Sequence, residues 1–392
     1  MPLQDPVTAR PRTPDRVTAA RSAPPAGLPD RAPTPPRTPP EGAHALVVGA
    51  SGISGAALVR QLVRDGWRVT GLSRSPLPGS VPHVAADLRS AASLREALSG
   101  LRPTHVFVTA WSRQATEADN IRVNAGMVRD LLAVLGPQGS LRHVALVTGL
   151  KHYLGPFEAY GQGDVPDTPF LEDAERLDVD NFYYAQEDEL FAAAATWGAT
   201  WSVHRSHTVL GHAVGGAMNL TATLAAGAAI ARRQGRPFVF PGSRAQWDGV
   251  VDLTDADLLA DHQLWAATTP AAADTAFNVV DGDVVRWRRL WPRLAAHLGV
   301  EPQGPGDAVQ PLAQQMAGAE AVWAELVAEH GLVEPDLARV ASWWHTDADL
   351  GREQEVFADM TRSRLLGYTG WVSTERSLLR LVDRYRAERI VP

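Results

Sequence analysis

Short apolar runs alternate with helical patterns through the first half of the chain, and this alternation limits the fold more than any other feature. The runs predict strands at 45–49, 67–74, 83–88, 104–109, 142–148 and 200–205. Helical patterns fill much of the intervening sequence, as at 52–65 and 120–135. Adjacent parallel strands need crossover connections, which are right-handed and usually helical. We therefore expect an α/β fold of the Rossmann type, with a doubly wound parallel sheet.

The second half of the sequence is less regular and mostly helical in pattern. Helices are predicted at 218–232, 255–267, 284–298, 316–329 and 373–387. An apolar run at 277–280 predicts that the chain returns once to the sheet. We expect a nucleotide-binding domain over 42–210. Most of 211–392 is expected to form a smaller helical lobe that binds substrate over the carboxyl edge of the sheet.

Residues 1–41 differ from the rest of the chain because they are rich in Pro, Arg, Thr and Ala. Such a segment buries too little apolar surface to offset the entropy lost on ordering. It also lacks the continuous apolar core of an export signal. We predict a disordered tail.

Composition excludes several classes of protein. The chain has 392 residues, 45% of them hydrophobic, as in ordinary globular proteins. A net charge of -7 argues against nucleic acid as a partner, and the absence of cysteine excludes disulfides and thiol nucleophiles. No run is apolar enough to span a membrane, and the histidines lack the spacing of a metal site. A cytoplasmic location is expected, and a homodimer is left open.

A glycine-rich turn follows the first predicted strand and opens the first predicted helix. It runs from Gly49 to Gly55 and includes Ser51, Gly52 and Ile53. Small residues let the backbone approach a pyrophosphate, and a helix N-terminus offers free amides and positive potential. Although such a turn can simply pack a helix on a strand, its context predicts a dinucleotide site.

The end of the second strand predicts which dinucleotide binds. An NAD-binding protein usually has an acidic residue there, whereas this chain has Ser73 and Arg74. A guanidinium suits a 2′-phosphate, so NADPH is the expected cofactor. A solvated surface arginine is the alternative. The other residues expected to border the cofactor are Asp87, Leu88, Thr109, Trp111 and Thr148.

A lysine and a tyrosine stand out because they come from separate elements. Lys151 follows the fifth strand, and Tyr183 begins a helical pattern. Nicotinamide dehydrogenases of this sequence type have their lysine one helical turn after the tyrosine, where this chain has Glu187. An acid there is expected to raise the pKa of the tyrosine.

The chemistry of hydride transfer gives this pair a role. Hydride addition to a carbonyl carbon forms an alkoxide, and addition to the far carbon of an enone forms an enolate. A phenol and an ammonium group stabilise either oxyanion. Tyr183 is therefore the candidate proton donor and Lys151 its electrostatic partner, although a packed aromatic and a surface lysine are the ordinary interpretations of these residues.

Aromatic residues near these positions are candidates for a substrate cavity. Trp111, Tyr153 and Trp344 are expected to line it, as apolar and aromatic side chains commonly do. Core packing is the alternative for each of them.

Several runs of sequence resemble one family. Lys-His-Tyr-Leu-Gly-Pro-Phe at 151–157 and Asn-Phe-Tyr-Tyr at 181–184 are its most specific matches. Further matches lie at 200–205, 245–249 and 276–279. On these motifs the chain resembles the plant progesterone 5-beta-reductase and iridoid synthase family, atypical members of the extended short-chain dehydrogenase/reductases. The resemblance covers the chain from about residue 44 to its C-terminus.

The resemblance implies NADPH-dependent reduction of the activated C=C bond of a small enone or enal. By motif position, Lys151 and Tyr183 take the roles of the family's active-site lysine and tyrosine. Thr208 and His345 fall at positions near the substrate, where plant members often have Asn and Phe. The pocket is therefore expected to be more polar, and a steroid is not assumed.

Two other functions stay open. A carbonyl reductase or a sugar-nucleotide epimerase/dehydratase of the extended short-chain dehydrogenase class would use the same fold with a displaced lysine. A non-catalytic NADPH-sensing regulator would bind the cofactor without turnover, since a fold does not prove an activity.

Overall fold

The protein, as a computed structural model, is described over residues 29–32, 35–74, 76–77, 79, 81–156, 166–216 and 218–392. Residues 1–28 and 33–34 of the predicted tail lie outside these ranges, and so does Phe157, the last residue of the motif at 151–157.

The strands of the described residues are, in chain order, β1 (His44–Val48), β2 (Arg68–Ser73), β3 (His83–Ala85), β4 (His105–Val108), β5 (His143–Gly149), β6 (Thr200–Ser206), β7 (Val209–Leu210), β8 (Phe238–Val239), β9 (Thr254–Asp255), β10 (Thr275–Val279) and β11 (Pro302–Gln303).

The helices are α1 (Ile53–Arg64), α2 (Ala91–Leu98), α3 (Glu117–Leu135), α4 (Lys151–Leu154), α5 (Phe182–Trp197), α6 (Leu220–Arg233), α7 (Arg244–Asp248), α8 (Ala256–Thr268), α9 (Trp287–Leu298), α10 (Leu312–Gln315), α11 (Glu320–His330), α12 (Leu337–Val340), α13 (Trp343–Leu350), α14 (Thr361–Leu365) and α15 (Thr374–Ala387), with 3₁₀ turns at Gly136–Gln138 and Pro270–Ala272.

A seven-stranded sheet lies at the centre of the molecule. Its order is β10-β6-β5-β4-β1-β2-β3, and every pair of neighbours is parallel. All five residues of β1 are buried, as expected for a strand covered by helices on both faces. The predicted Rossmann-type, doubly wound sheet is confirmed, and the run predicted at 277–280 forms most of β10 beside β6.

The helix α8 belongs to the sheet layer, although it lies within the range predicted to be mostly lobe. It packs on α1 and β6, and its Ala260 and Leu264 join Val47 and Leu58 in one apolar cluster. On the other face of the sheet, α3 and α5 pack together. Those two helices position the candidate site, because α5 begins beside the carboxyl end of β5.

The remaining C-terminal helices form a second apolar core. Leu224 of α6, Trp291 of α9, Trp323 of α11 and Leu378 of α15 are fully buried in one cluster. The pattern of α9 explains its place there, because its apolar residues recur at helical spacing and its arginines face outward. This helical lobe stands where the sequence predicted one.

The chain contacts its own body earlier than the tail prediction allowed. Asp30 forms an ion pair of 2.8 Å with Arg380. The backbones of Arg31 and Val372 pair in an isolated antiparallel β-bridge. Arg37 pairs with Asp261 at 2.9 Å. The predicted disorder is therefore wrong for these described residues. No helix in the described ranges combines the length and apolar character needed to cross a membrane.

Candidate active site

The glycine turn after β1 has backbone geometry that a side chain would disrupt. Gly49 has a φ of +84°, and a Cβ there would lie 2.8 Å from Ala110 Cβ. A Cβ on Gly55 would lie 2.2 Å from the Gly49 oxygen. The turn therefore needs glycine at both positions, and it leaves an unobstructed backbone surface above the strand.

The N-terminus of α1 faces the same turn. Gly52 is its N-cap and provides no side chain to cap the first amides. Ser51 is exposed, whereas Ile53 packs against Gly211, where a Cβ would lie 2.4 Å from Ile53 Cγ2. Uncapped amides at a helix N-terminus suit a phosphate group, so this cradle fits the pyrophosphate of a dinucleotide.

Charged residues gather at the carboxyl ends of β2 and β3. Hydrogen bonds from Arg89 hold the pKa of Asp87 below its ordinary value, and the nearby charge of Arg74 lowers it further. Arg74 is exposed, while the Ser73 hydroxyl is within 3.0 Å of His83 Nε2. A guanidinium beside the glycine turn is the arrangement that a 2′-phosphate requires.

The middle of the predicted cofactor site is formed by the ends of β4 and β5. Thr109 donates a 2.8 Å hydrogen bond to the Val48 oxygen, which ties β4 to β1. The Thr148 hydroxyl is buried and has no hydrogen-bond partner among the described residues. Leu88 is partly buried against the sheet core. Thr148 is thus the residue here with an unused polar group.

Lys151 begins α4, directly after the turn that ends β5. It is the only lysine in the sequence, where every other residue of the 37 lysines and arginines is an arginine. It is 4% exposed, and its Nζ lies 5.9 Å from the centroid of the Phe182 ring. Its carbonyl oxygen accepts a 2.6 Å hydrogen bond from Asn181. A chain that otherwise uses only arginine keeps a compact ammonium group at this buried point.

Tyr183 lies in the first turn of α5. Asn181 is the N-cap of that helix and accepts a 3.0 Å hydrogen bond from the Tyr183 amide. The Tyr183 hydroxyl lies 3.6 Å from the point that a Cβ on Gly149 would occupy. The phenol is therefore directed over the carboxyl end of β5, two residues before Lys151.

Phe182 connects these groups to the loop after β4. Its ring is 4.3 Å from that of Tyr183 and stacks on Trp111 at 5.1 Å. Because Lys151 Nζ faces the same ring, the structure brings Trp111, Lys151 and Tyr183 around one buried phenylalanine. Both side chains are thus neighbours of one ring, and a phenol and an ammonium group are the kinds of group that stabilise an oxyanion.

Tyr184, the neighbouring tyrosine, has a different environment. Its hydroxyl donates a 2.6 Å hydrogen bond to the His152 oxygen and accepts one from the Leu177 amide. Burial raises its pKa. Tyr184 therefore fastens α4 to α5.

Glu187 occupies the position where a lysine was expected from related dehydrogenases. It is 2% exposed, and its carboxylate pairs with Arg176 at 2.9 Å. Burial raises the pKa of Glu187, while the charge of Arg205 opposes this shift. Its charge also contributes to the raised pKa of Tyr184. Arg176 thus offsets the charge of Glu187, which lies on the side of α5 that carries Tyr184.

The residues predicted for the substrate cavity have mixed surroundings. The Tyr153 hydroxyl donates a 2.6 Å hydrogen bond to Asn278, and its ring stacks on Phe170 at 4.8 Å. These contacts are those of packing. Thr208 is only partly buried, and it donates a 3.0 Å hydrogen bond to Asp349 of α13.

The other two predicted cavity residues lie on α13 itself. Trp344 is 39% exposed, and the Arg113 guanidinium lies 3.8 Å from its ring centroid. His345 is buried, and its Nε2 lies 3.7 Å from Asp349. Since Arg113 is two residues after Trp111, this contact brings α13 to the loop that carries Trp111.

Sequence reasoning missed two residues that organise the site. Asn181 caps α5 and binds the Lys151 carbonyl, and Phe182 provides the shared ring. An Asn directly before a helical pattern is a cap signal that could have indicated the first. The count of lysines was a second unused signal, because it singles out Lys151 without any structure.

Comparison with known families and proteins confirms the family that the sequence motifs resemble. The family described as "PRISE-like Rossmann-fold domain" matches residues 86–392. A 3-oxo-Delta(4,5)-steroid 5-beta-reductase from Arabidopsis thaliana is 38% identical over 89% of this chain and 93% of its own length. An (S)-8-oxocitronellyl enol synthase from Camptotheca acuminata is also 38% identical, with the same coverage.

Solved structures share the fold at low identity. A UDP-glucose 4-epimerase from Thermotoga maritima has a TM-score of 0.60 at 17% identity, covering 88% of this chain and 99% of its own. RMD from Pseudomonas aeruginosa, complexed with NADPH, has a TM-score of 0.61 at 16% identity with the same coverage. At such identities the likeness extends to the fold alone.

Proposed function

The chain belongs to the family of PRISE-like Rossmann-fold proteins, and from that membership we propose that it is an NADPH-dependent ene-reductase acting on small enones or enals. The named relatives support this reaction, because a steroid 5-beta-reductase and an oxocitronellyl enol synthase are among them. The observation that carries the proposal is the approach of Lys151 and Tyr183 around Phe182. A cytoplasmic location and a homodimer stay predictions.

The cofactor assignment rests on the cradle after β1 and on Arg74. The glycine turn and the uncapped amides of α1 would hold the pyrophosphate, and Arg74 would meet the 2′-phosphate. Thr148 has a buried hydroxyl suited to a further hydrogen bond at the middle of the dinucleotide. NADPH, when bound, supplies the hydride for the β-carbon of the enone.

The protein's own residues would stabilise the charge that develops on the substrate oxygen. As hydride reaches the β-carbon, negative charge moves to the carbonyl oxygen and an enolate forms. Tyr183 would donate a hydrogen bond to that oxygen, and the Lys151 ammonium group would stabilise its charge. Burial strengthens both interactions, because charges are screened less away from water.

Tyr183→Phe tests this role. Removal of the phenolic hydroxyl should reduce kcat/KM for a cyclic enone about 10²–10³-fold, because the loss of one hydrogen-bond donor to a developing oxyanion has that size. NADPH binding, followed by fluorescence titration, should change little. Unchanged turnover would remove Tyr183 from the mechanism.

Tyr184→Phe is the matched control. It removes a hydroxyl of the same kind from the next residue, where the hydrogen bonds are structural. We expect a loss of about 1 kcal/mol in the free energy of unfolding and turnover within a few-fold of wild type. Equal losses of activity in both variants would mean that the first effect is not chemical.

Product analysis separates this proposal from its alternatives. A saturated ketone supports ene reduction, whereas an allylic alcohol supports a carbonyl reductase. Cofactor binding with no turnover across a panel of enones and carbonyls supports a regulator.

A further inference from the structure

Four polar side chains meet where α13 approaches the end of β6. The Asp349 carboxylate accepts hydrogen bonds from Thr208, at 3.0 Å, and from Arg352, while His345 Nε2 lies 3.7 Å away. The side chains of Asp349 and Arg352 are more than nine-tenths buried, and the His345 side chain is 11% exposed. We call Thr208, His345, Asp349 and Arg352 the α13 polar cluster.

The α13 polar cluster is linked to the candidate active site through two neighbouring segments of the chain. Thr208 is two residues after Ser206, whose oxygen lies 2.6 Å from the point a Cβ on Gly149 would occupy. The Tyr183 hydroxyl lies 3.6 Å from that same point. On the other side, the contact between Arg113 and Trp344 links α13 to the loop that carries Trp111. The cluster is therefore connected both to the end of β6 beside Gly149 and to the loop that carries Trp111.

His345 is the member of the cluster with unused hydrogen-bonding capacity. Its Nδ1 is buried with no hydrogen-bond partner among the described residues, and its Nε2 is too far from Asp349 for a hydrogen bond. A buried polar group without a partner is unfavourable, and such groups mark places where a ligand or a water completes the site.

The unsatisfied Nε of Arg352 can be explained by a single water. This Nε is also buried without a partner in the described part of the chain. A cavity of about 10 Å³ lies against Thr208, Asp349 and Arg352, which is room for no more than one water. That cavity does not border His345, so a water in it leaves the imidazole unsatisfied.

The protonation state of His345 limits the chemistry of its missing partner. Burial lowers the pKa of this imidazole, so it is neutral near pH 7, with one N–H donor and one lone pair. A carboxylate would accept from the N–H, but it would find no net positive charge within the cluster, because the charge of Arg352 is already offset by Asp349. A hydroxyl group can both accept and donate, and it carries no charge.

We propose that this site takes an enone that bears a hydroxyl group on the part of the molecule that meets the α13 polar cluster, with His345 as its hydrogen-bonding partner and Thr208 and Asp349 holding α13 in place. This inference rests on the proposed ene-reductase function and names the substrate class of that site. A site with buried polar groups rejects an analogue that lacks the matching group, because those polar groups then stay unpaired.

Three cyclohexenones that carry methyl, hydroxymethyl or carboxyl at the same saturated ring carbon test the inference. With NADPH and wild-type protein, kcat/KM should be at least about 10-fold higher for the hydroxymethyl compound than for the methyl compound. The carboxyl compound should not exceed the hydroxymethyl compound. Equal values for methyl and hydroxymethyl, or a preference for carboxyl, would overturn the inference while leaving ene reduction intact.

His345→Phe and Thr208→Val identify the residues responsible. The ratio of kcat/KM for the hydroxymethyl compound to that for the methyl compound should fall to about one in His345→Phe and decrease in Thr208→Val. His330→Phe, which changes an exposed histidine on α11, should keep the wild-type ratio. A ratio that survives in His345→Phe would place the hydroxyl elsewhere and contradict the assignment.

A binding measurement keeps the two proposals separate. The saturated hydroxymethyl and methyl cyclohexanones are titrated calorimetrically into wild-type protein in the presence of NADP⁺. Tighter binding of the hydroxymethyl ketone supports the hydroxyl preference even if no enone is reduced. That combination would refute the ene-reductase function and leave the hydroxyl preference standing. Equal binding refutes the preference whatever the turnover.

Discussion

The cofactor side and the substrate side of this site are built in opposite ways. On the cofactor side, Gly49, Gly55 and Arg74 all belong to one strand–helix–strand unit, and backbone geometry sets their positions. On the substrate side, Thr208 meets Asp349 across 141 positions of sequence. The first side depends on a local turn, and the second depends on tertiary contacts among β5, β6, α5 and α13. Substitutions on the first side should therefore change cofactor affinity, and those on the second should change the chemistry.

Lys151→Arg should strongly impair the substrate side of the site. The substitution keeps the positive charge, but a planar guanidinium is larger than an ammonium group and cannot take its buried position beside Phe182. We expect kcat/KM for a cyclic enone to fall about 10²–10³-fold, the loss typical for one donor to an oxyanion. Steady-state kinetics measures the loss, and the dissociation constant of NADPH should move far less.

Lys151→Met and Arg122→Lys are the controls for that prediction. The first removes the charge and should lose at least as much activity as Lys151→Arg. The second makes an arginine–lysine exchange at an exposed residue of α3 and should leave kcat/KM at the wild-type value. Full activity in Lys151→Arg would mean that charge alone is sufficient at this point.

Arg74→Ala should change the cofactor side without changing the chemistry. The charged hydrogen bonds that a guanidinium makes with a 2′-phosphate contribute about 1.5–3 kcal/mol. The ratio of kcat/KM for NADPH to that for NADH should therefore fall about 10–10²-fold, mainly through KM for NADPH. Arg89→Ala, a nearby arginine whose guanidinium binds Asp87, is the comparison. A ratio unchanged in Arg74→Ala would contradict the assignment of the 2′-phosphate site.

The same contrast explains what the sequence could predict about the fold. The parallel sheet was predictable because its strands are buried on both faces and read as continuous apolar runs, as β1 does. The glycine turn was predictable because its function depends on consecutive residues. The place of α8 was not, because a buried helix has no pattern that says whether it packs on a sheet or in a lobe.

The sequence motifs predicted which residues form the candidate site, but they did not predict the contacts that those residues make. The motifs pointed to Lys151 and Tyr183 as a pair, and the structure places both near Phe182. The surroundings of Glu187 were not readable, because its partner Arg176 lies in an irregular segment before α5. The direction of the Tyr153 hydroxyl depends on Asn278 of β10, a contact across 125 positions.

Asn181→Ala should separate stability from positioning on the substrate side. The variant loses the cap of α5 and one of the two hydrogen bonds to the Lys151 carbonyl, which keeps the one from the Gly155 amide. The free energy of unfolding should fall by about 1–2 kcal/mol, as for other cap losses. Since the side chain also orients Lys151 and Tyr183, kcat should fall about 10-fold while KM changes little.

Thr116→Ala is the matched cap variant for that test. Thr116 caps α3 through a hydrogen bond from the Asp119 amide, and α3 packs on α5. It should lose a similar amount of stability and keep kcat. If both variants lose kcat equally, Asn181 acts through stability alone.

Glu187→Gln should have the smallest effect on activity, and its effect on stability should depend on pH. Burial raises the pKa of Glu187 above its unfolded value, so the folded protein binds this proton more tightly than the unfolded chain does. The stability that this group contributes is present below the unfolded pKa and is lost as pH rises through the folded pKa. Glutamine does not titrate, so the variant should gain stability relative to wild type as pH rises above about 4, the ordinary pKa of a glutamate. Urea unfolding at several pH values measures the difference, and kcat/KM at neutral pH should stay within a few-fold of wild type because the carboxylate faces Arg176. A large loss of activity would instead mean that this acid acts on Tyr183, as its sequence position first indicated.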